Sequence, residues 1–267
     1  MDTTLLEKHF RKIGARVKFS EIVPSWRGFA GIDIAEDKDG EFFDFRMDAD
    51  EDVVYQVVDL KPEMRHLLLL ARRDDEKQKF LCGHDERHWF VCAVPGRSVS
   101  GVVTAMEALQ PLAVQTQVSK KLKRSKNRFS RKNEAFMRQG EWFFIPVPDF
   151  FVDEGFTNQI HKNEPITRGR GSKPHICEEV YRSNGETVMV CEKHPNGLTL
   201  KQHKHFLRQN PKAKNWRWHQ MQRNASVFAR GYVRHPYHKT IVLDGWHRVL
   251  MNTENEAPGM QHVVFLD

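Results

Sequence analysis

The 267-residue sequence predicts an α+β fold of two mixed units, their sheets mostly antiparallel, joined by a basic, helical connector. Three observations predict it. Apolar residues recur at helical spacing near the N-terminus and again from Ser98. Elsewhere the apolar rhythm is largely two residues, the period of a half-buried strand. Turn residues punctuate those runs at short intervals, which marks antiparallel meanders.

Leu5, Leu6, Phe10, Ile13 and Val17 predict a helix over 4–17, capped by Thr3 or Thr4 and weakened at Gly14. Pro24 and Gly28 then break the chain. Gly31–Glu36 and Glu41–Met47 read as strands across the turn Asp37-Lys-Asp-Gly40. Val53–Leu60 and Arg65–Arg72 read as two more, and Lys79–Cys82 with His88–Val94 as a hairpin. Ser98–Lys123 reads as a helix that Pro111 kinks or divides.

In the second half, Trp142–Val147 reads as a buried strand and 156–173 as a loop. Asn184-Gly185, set between His175–Tyr181 and Thr187–Cys191, predicts a hairpin turn. Leu198–Gln209 reads as a helix capped by Asn196 or Thr199 and stopped by Pro211. Ser226–Arg234 and Thr240–Leu243 pair across 235–239, and Trp246–Met251 and His262–Leu266 close the unit. The expected division is 1–118, an acidic unit; 119–140, the basic connector; and 141–267, a basic, histidine-rich unit.

Charge is unevenly spread. Residues 1–119 carry a net −5, while the whole chain carries +7. The excess starts at the connector: Lys120, Lys121, Lys123, Arg124, Lys126, Arg128, Arg131, Lys132 and Arg138 are opposed only by Glu134. Phe129, Phe136 and Trp142 interleave or follow. A second basic-aromatic stretch centres on Trp216, Arg217 and Trp218, with Lys201, Lys204, Arg208, Lys212 and Lys214 before it. Dense cations release counterions from a phosphate backbone, and aromatic rings stack on bases. The pattern predicts an intracellular, cytoplasmic nucleic-acid-binding protein, with DNA and RNA equally open. No run reaches the roughly 18 apolar residues of a membrane helix, so no membrane partner is expected. The acidic first half leaves a protein partner open, as in a protein-interaction module.

Histidine supplies the alternative reading. His175, His235, His238 and His247 lie in the second half. Imidazole titrates near neutral pH, so a cleft holding several could catalyse phosphodiester cleavage. No cofactor is expected for simple binding. A divalent metal belongs only to this alternative, with Asp244 or Glu178 as a further ligand. Cys82, His84, His88 and Cys92 resemble a ligand set in spacing, but both thiols fall inside apolar strands. Asp33, Glu36, Asp37 and Asp39 form an acidic turn that lacks the register of a calcium loop. Phosphate-cradling glycine motifs and the common hydrolase motifs are absent.

Overall fold

A computed structural model describes residues 3–21, 31–47, 53–96, 98–122, 126–168 and 172–257. Among the described residues the architecture is largely β, with four sheets, 49% strand and 25% helix, much of the helix in short 3-10 turns. This corrects the α+β expectation. It also removes the helical connector, because the helix reaching it stops at Lys121. The reason is local. Continuing it would align Lys120, Arg124 and Arg128 at i, i+4 intervals, where like charges repel, with no apolar stripe in compensation. The chain instead forms a short 3-10 turn at Lys126–Phe129. The chain divides into two compact units, one running to Glu134 and returning from Asn252, the other Ala135–Met251.

In the first unit, α1 (Thr3–Lys12) precedes β1 (Val17–Glu21), β2 (Gly31–Asp37) and β3 (Gly40–Met47). These strands form a sheet of order β1-β3-β2 in which β1 and β3 are parallel. Val17 therefore belongs to a strand rather than to the first helix. Four antiparallel strands follow, β4 (Val54–Lys61), β5 (His66–Arg73), β6 (Glu76–Asp85) and β7 (His88–Val94), paired in chain order. Helices α2 (Val102–Ala108) and α3 (Leu112–Lys121) flank Pro111, which divides them.

The run Leu67–Ala71 is apolar at every position because the four-stranded sheet is covered on both faces. Leu67, Leu69 and Cys82 join Phe10 of α1 and Phe43 and Phe45 of β3 in one core. Leu68, Leu81 and Cys92 join Val102, Ala105 and Leu109 in another. Cys82 and Cys92 thus face opposite sides of the sheet, which dismisses the cysteine–histidine ligand set. On the edge strand β7, the Ala93 N–H donates to the buried Glu254 carboxylate at 3.0 Å. The acidic turn is spent on neighbours: Asp37 pairs with Arg16 at 2.7 Å and Lys18 at 2.6 Å.

The second unit contains β8 (Met137–Gln139), β9 (Trp142–Pro146), β10 (His161–Ile166), β11 (His175–Ser183), β12 (Glu186–Cys191) and β13 (His194–Thr199). It continues with α4 (Leu200–Gln209), β14 (His219–Arg223), β15 (Ser226–Arg234) and β16 (Ile241–Met251). Six strands form a sheet of order β10-β11-β15-β16-β9-β8, and three form a small sheet of order β13-β12-β14. The expected loop over 156–173 contains β10. The runs 240–243 and 246–251 merge into the single strand β16. His262–Leu266 lies outside the described residues.

Asn184-Gly185 does not make a hairpin. Strand β11 pairs with β15 up to Ser183–Ser226, and β12 pairs with β14 from Glu186–Arg223. Two antiparallel strands therefore run side by side out of the large sheet into the small one. Asn184-Gly185 on one and Asn224-Ala225 on the other make a double bend. Asn184, Gly185 and Asn224 all have positive φ, at 61°, 96° and 60°. The same residues that favour hairpin turns here serve a bend, because the pairing partners, Ser226 for Ser183 and Arg223 for Glu186, lie far along the chain rather than across the turn. Cys177 and Cys191 consequently sit in different sheets rather than cross-strand.

Gly185 has no room for a side chain: a Cβ would lie 3.0 Å from Ala225 Cα. Gly185→Ala should destabilise the protein by about 1–3 kcal/mol in urea unfolding, from left-handed strain and backbone contact together. Gly155→Ala, where a Cβ meets nothing within 4 Å, should change stability little.

Candidate functional site

Three of the four predicted histidines converge. His175 opens β11, and His235 and His238 lie in the loop between β15 and β16. One ring nitrogen from each lies within 4.8 Å of the others. The rings are nearly parallel, with centroids 4.2 Å apart for His175–His235, 5.5 Å for His175–His238 and 4.6 Å for His235–His238. His175 is 1% exposed, and neither of its nitrogens has a hydrogen-bond partner. Burial, then the charges of His235 and His238, push its pKa down to about 3. It is a neutral imidazole at any ordinary pH.

His175 and His235 meet through neighbouring strands, since Ile176 pairs with Arg234, but the turn opposite them arrives by curvature. Flat strands lie about 4.8 Å apart, so β8 and β15 in a flat sheet would be separated by roughly 14 Å. Yet the Gln139 side chain at the end of β8 donates to the Val233 carbonyl of β15 at 3.3 Å. It also donates to the Lys239 carbonyl at 2.8 Å. The sheet therefore curls around a core that includes Phe144, Cys177, Val180, Ala229, Val233 and Leu243. The curl carries the β8–β9 turn onto the histidines. Gly140 in that turn has φ +57°, and a Cβ there would lie 2.9 Å from His238 Nε2 and 3.2 Å from His175 Nε2. Trp142, next on β9, sets its ring edge-on to His175 at 6.5 Å.

His247 does not join this group. It lies on β16, 3% exposed, with Nδ1 3.0 Å from the Gly245 carbonyl. The carboxylates considered as metal ligands also lie outside the group. Glu178 accepts the Tyr232 N–H at 2.8 Å instead. Gln139 and Gly140 were not singled out from sequence. A glutamine and a glycine in a polar turn carry no periodicity, and only the curl gives them a role.

The second predicted stretch maps onto the small sheet and α4. Thr199 caps α4, accepting from the Gln202 N–H at 3.2 Å, and Gln202 returns the bond at 2.9 Å. His203 and Phe206 turn inward to meet the Trp216–Trp218 pair. Those tryptophans stack with centroids 6.0 Å apart, and His194 lies nearly parallel to Trp218 at 5.8 Å. Trp218 is anchored by its indole N–H, which donates to the Ala213 carbonyl at 2.9 Å. Both tryptophans remain half-buried, and Lys193 Nζ sits 4.4 Å from the Trp216 ring centre.

Cations crowd this module. Residues 186–223 contain eight Lys/Arg against Glu186 and Glu192. Lys201, Lys204 and Arg208 are exposed along one face of α4, and Lys212, Lys214 and Arg217 are exposed beyond it. Arg223 is the exception, paired with Glu186.

The connector is less free than its sequence suggests. Arg128 pairs with Glu107 at 2.7 Å, and Arg131 pairs with Glu86 and, at 3.5 Å, with Asp85. Lys121 donates to the Glu134 carbonyl at 3.0 Å. Lys120 and Lys132 are exposed. Lys123 and Arg124, and the side chain of Lys126, lie outside the described residues. All four cysteines are buried free thiols, and burial pushes the Cys177 thiol up to about 12. No helix among the described residues is long and apolar enough to cross a membrane. Comparison with known proteins finds no match: no family model fits the sequence, and no curated protein or solved structure is significantly similar to it.

Burial lowers the pKa of His247, while the Gly245 carbonyl and then Asp244 act against that shift. A histidine depressed in the folded state leaves stability intact above the unfolded value near 6.5 and removes it as pH falls below. The unfolding free energy of the full chain should therefore drop from pH 7.5 to pH 5. His247→Gln should flatten that slope by up to about one proton per molecule, read from urea melts across the range.

Proposed function

We propose that this protein binds nucleic acid through the phosphate backbone, with the module of β12, β13, α4 and β14 as its principal contact surface. The observation carrying this reading is the exposed cation row of Lys201, Lys204, Arg208, Lys212, Lys214 and Arg217. None of the six makes an ion pair among the described residues, so their charge is free to act outward. A polyanion meeting them releases condensed counterions, a gain that needs no base recognition. Half-buried Trp216 and Trp218 add ring surface beside the row, held rigid by their own stacking and by the Ala213 bond. On the other unit Lys120 and Lys132 are exposed, while Arg128 and Arg131 pair with carboxylates.

Hydrolysis of nucleic acid is a second reading, favoured by the convergence of His175, His235 and His238. Direct acid–base chemistry there rests on two imidazoles rather than three. His175 holds no proton to give at neutral pH, and at a pKa of about 3 it is a weak base.

Binding of labelled single-stranded and duplex oligonucleotides, both DNA and RNA, should fall steeply with salt. A log–log slope near zero would exclude backbone binding. Replacing Lys204, Arg208, Lys212 and Arg217 together by glutamine should reduce the slope by about three to four units on duplex DNA, each contact carrying about 0.9. Trp216→Ala should weaken single-strand binding by about 1–3 kcal/mol if its ring stacks on a base. Shortened oligonucleotides in the same samples would establish the hydrolytic reading.

A further inference from the structure

We infer that His175, His235 and His238 form a site for one divalent cation of the Zn2+ type, with a fourth position left to water or an anion. The inference stands apart from nucleic-acid binding and uses none of its residues. Its first support is the donor set. Three imidazoles, with no thiolate or carboxylate in the group, suit Zn2+, Co2+ or Ni2+ and not the oxygen-seeking Mg2+ or Ca2+. Three protein ligands with one open position is the arrangement of reactive zinc sites rather than of closed structural ones.

The second support is the state of His175. A polar ring that is 1% exposed with both nitrogens unpartnered costs folding free energy, and an apolar residue of similar size would avoid that cost. The same neutral ring is a ready metal ligand, since a metal needs the unprotonated lone pair. Coordination supplies the partner that the fold withholds.

Third, the turn opposite is shaped to leave space. His175 Nε2 and His238 Nε2 both approach the point where a Cβ of residue 140 would stand, at 3.2 and 2.9 Å, and glycine leaves that point open. Tetrahedral coordination with bonds of about 2.0–2.1 Å sets ligand nitrogens roughly 3.4 Å apart. One nitrogen from each ring lies within 4.8 Å of the others, so the half-buried His235 and His238 close by up to about 1.4 Å and turn out of their parallel orientation to aim their lone pairs at one ion. Gln139 acts as a positioning residue, because its bond to the Lys239 carbonyl holds the loop that carries both.

The test uses the full chain after chelator treatment, titrated with Zn2+ against a chromophoric chelator and separately with Co2+. One equivalent should bind. Co2+ should give the intense visible bands of tetrahedral coordination without a near-ultraviolet thiolate band. His235→Ala and His238→Ala should lose more than about 100-fold in affinity while keeping the wild-type circular dichroism, and Gln139→Leu about tenfold, as expected for a residue behind the ligands. Gly140→Ala should also weaken binding. Failure of the wild-type chain to take up either metal overturns the inference, as does a thiolate band. Stoichiometric binding that survives both histidine substitutions places the metal elsewhere and overturns it as well.

Discussion

The geometry of the second unit depends on one buried side chain. Gln139 is wholly enclosed, and its amide nitrogen serves two carbonyls, one at the end of β15 and one in the loop beyond it. Through those bonds the first hairpin of a six-stranded sheet reaches strands that pairing order places well away. A twisted sheet tends to coil, but coiling alone does not fix where its margins meet. The glutamine specifies that meeting point. The bond to the Val233 carbonyl is buried, and losing a buried hydrogen bond costs about 1–3 kcal/mol. Direct pairing of β11 with β15 sets His175 beside His235, and the curl adds the Gly140 turn to them.

A second constraint sets the distance between the two candidate sites. Strands β11 and β15 are continuous, through the double bend, with β12 and β14 of the small sheet. His175 stands at one end of β11 and Ser183 at the other. At about 3.3 Å per residue the histidines lie roughly 26 Å from the bend. Beyond the bend lies the cationic module. The exposed cations of α4 and the histidine cluster therefore lie toward opposite ends of one ribbon.

How much of this was legible in the sequence varies by interaction range. Local chemistry was legible: the Thr199 cap, the stop at Pro211, the division at Pro111 and the turn at Asp37–Gly40 all lie where their residues direct. Medium-range inference failed where one signal serves two geometries. Asn184-Gly185 has the positive-φ chemistry of a hairpin, and only the long-range partner Arg223–Ser226 decides that it is a bend. Val17 continued a helical spacing, yet Gly14 at φ +82° ended the helix and let Val17 pair with Phe43. The α+β expectation failed because short helices and capping turns weigh as much in a sequence as strands do. Three of the four histidines were legible as a set, since they follow strand boundaries. Gln139 and Gly140 were not, because a curl has no periodicity.

Charge shows the same difference between sequence density and field. The connector is the most concentrated run of cations in the chain, but Arg128 and Arg131 face Glu107, Asp85 and Glu86. Exposed pairs of this kind contribute at most about 1 kcal/mol, so a phosphate can in principle take the guanidinium. What the pairing changes is the balance: each carboxylate stays within a few ångströms and repels the incoming anion. The cations of the module make no such pair among the described residues apart from Arg223, and Lys201, Lys204 and Arg208 stand on a capped helix whose inner side packs Phe206 on Trp218. If the protein binds a polyanion as proposed, exposed unpaired cations at the module would count for more than the paired Arg128 and Arg131 of the connector.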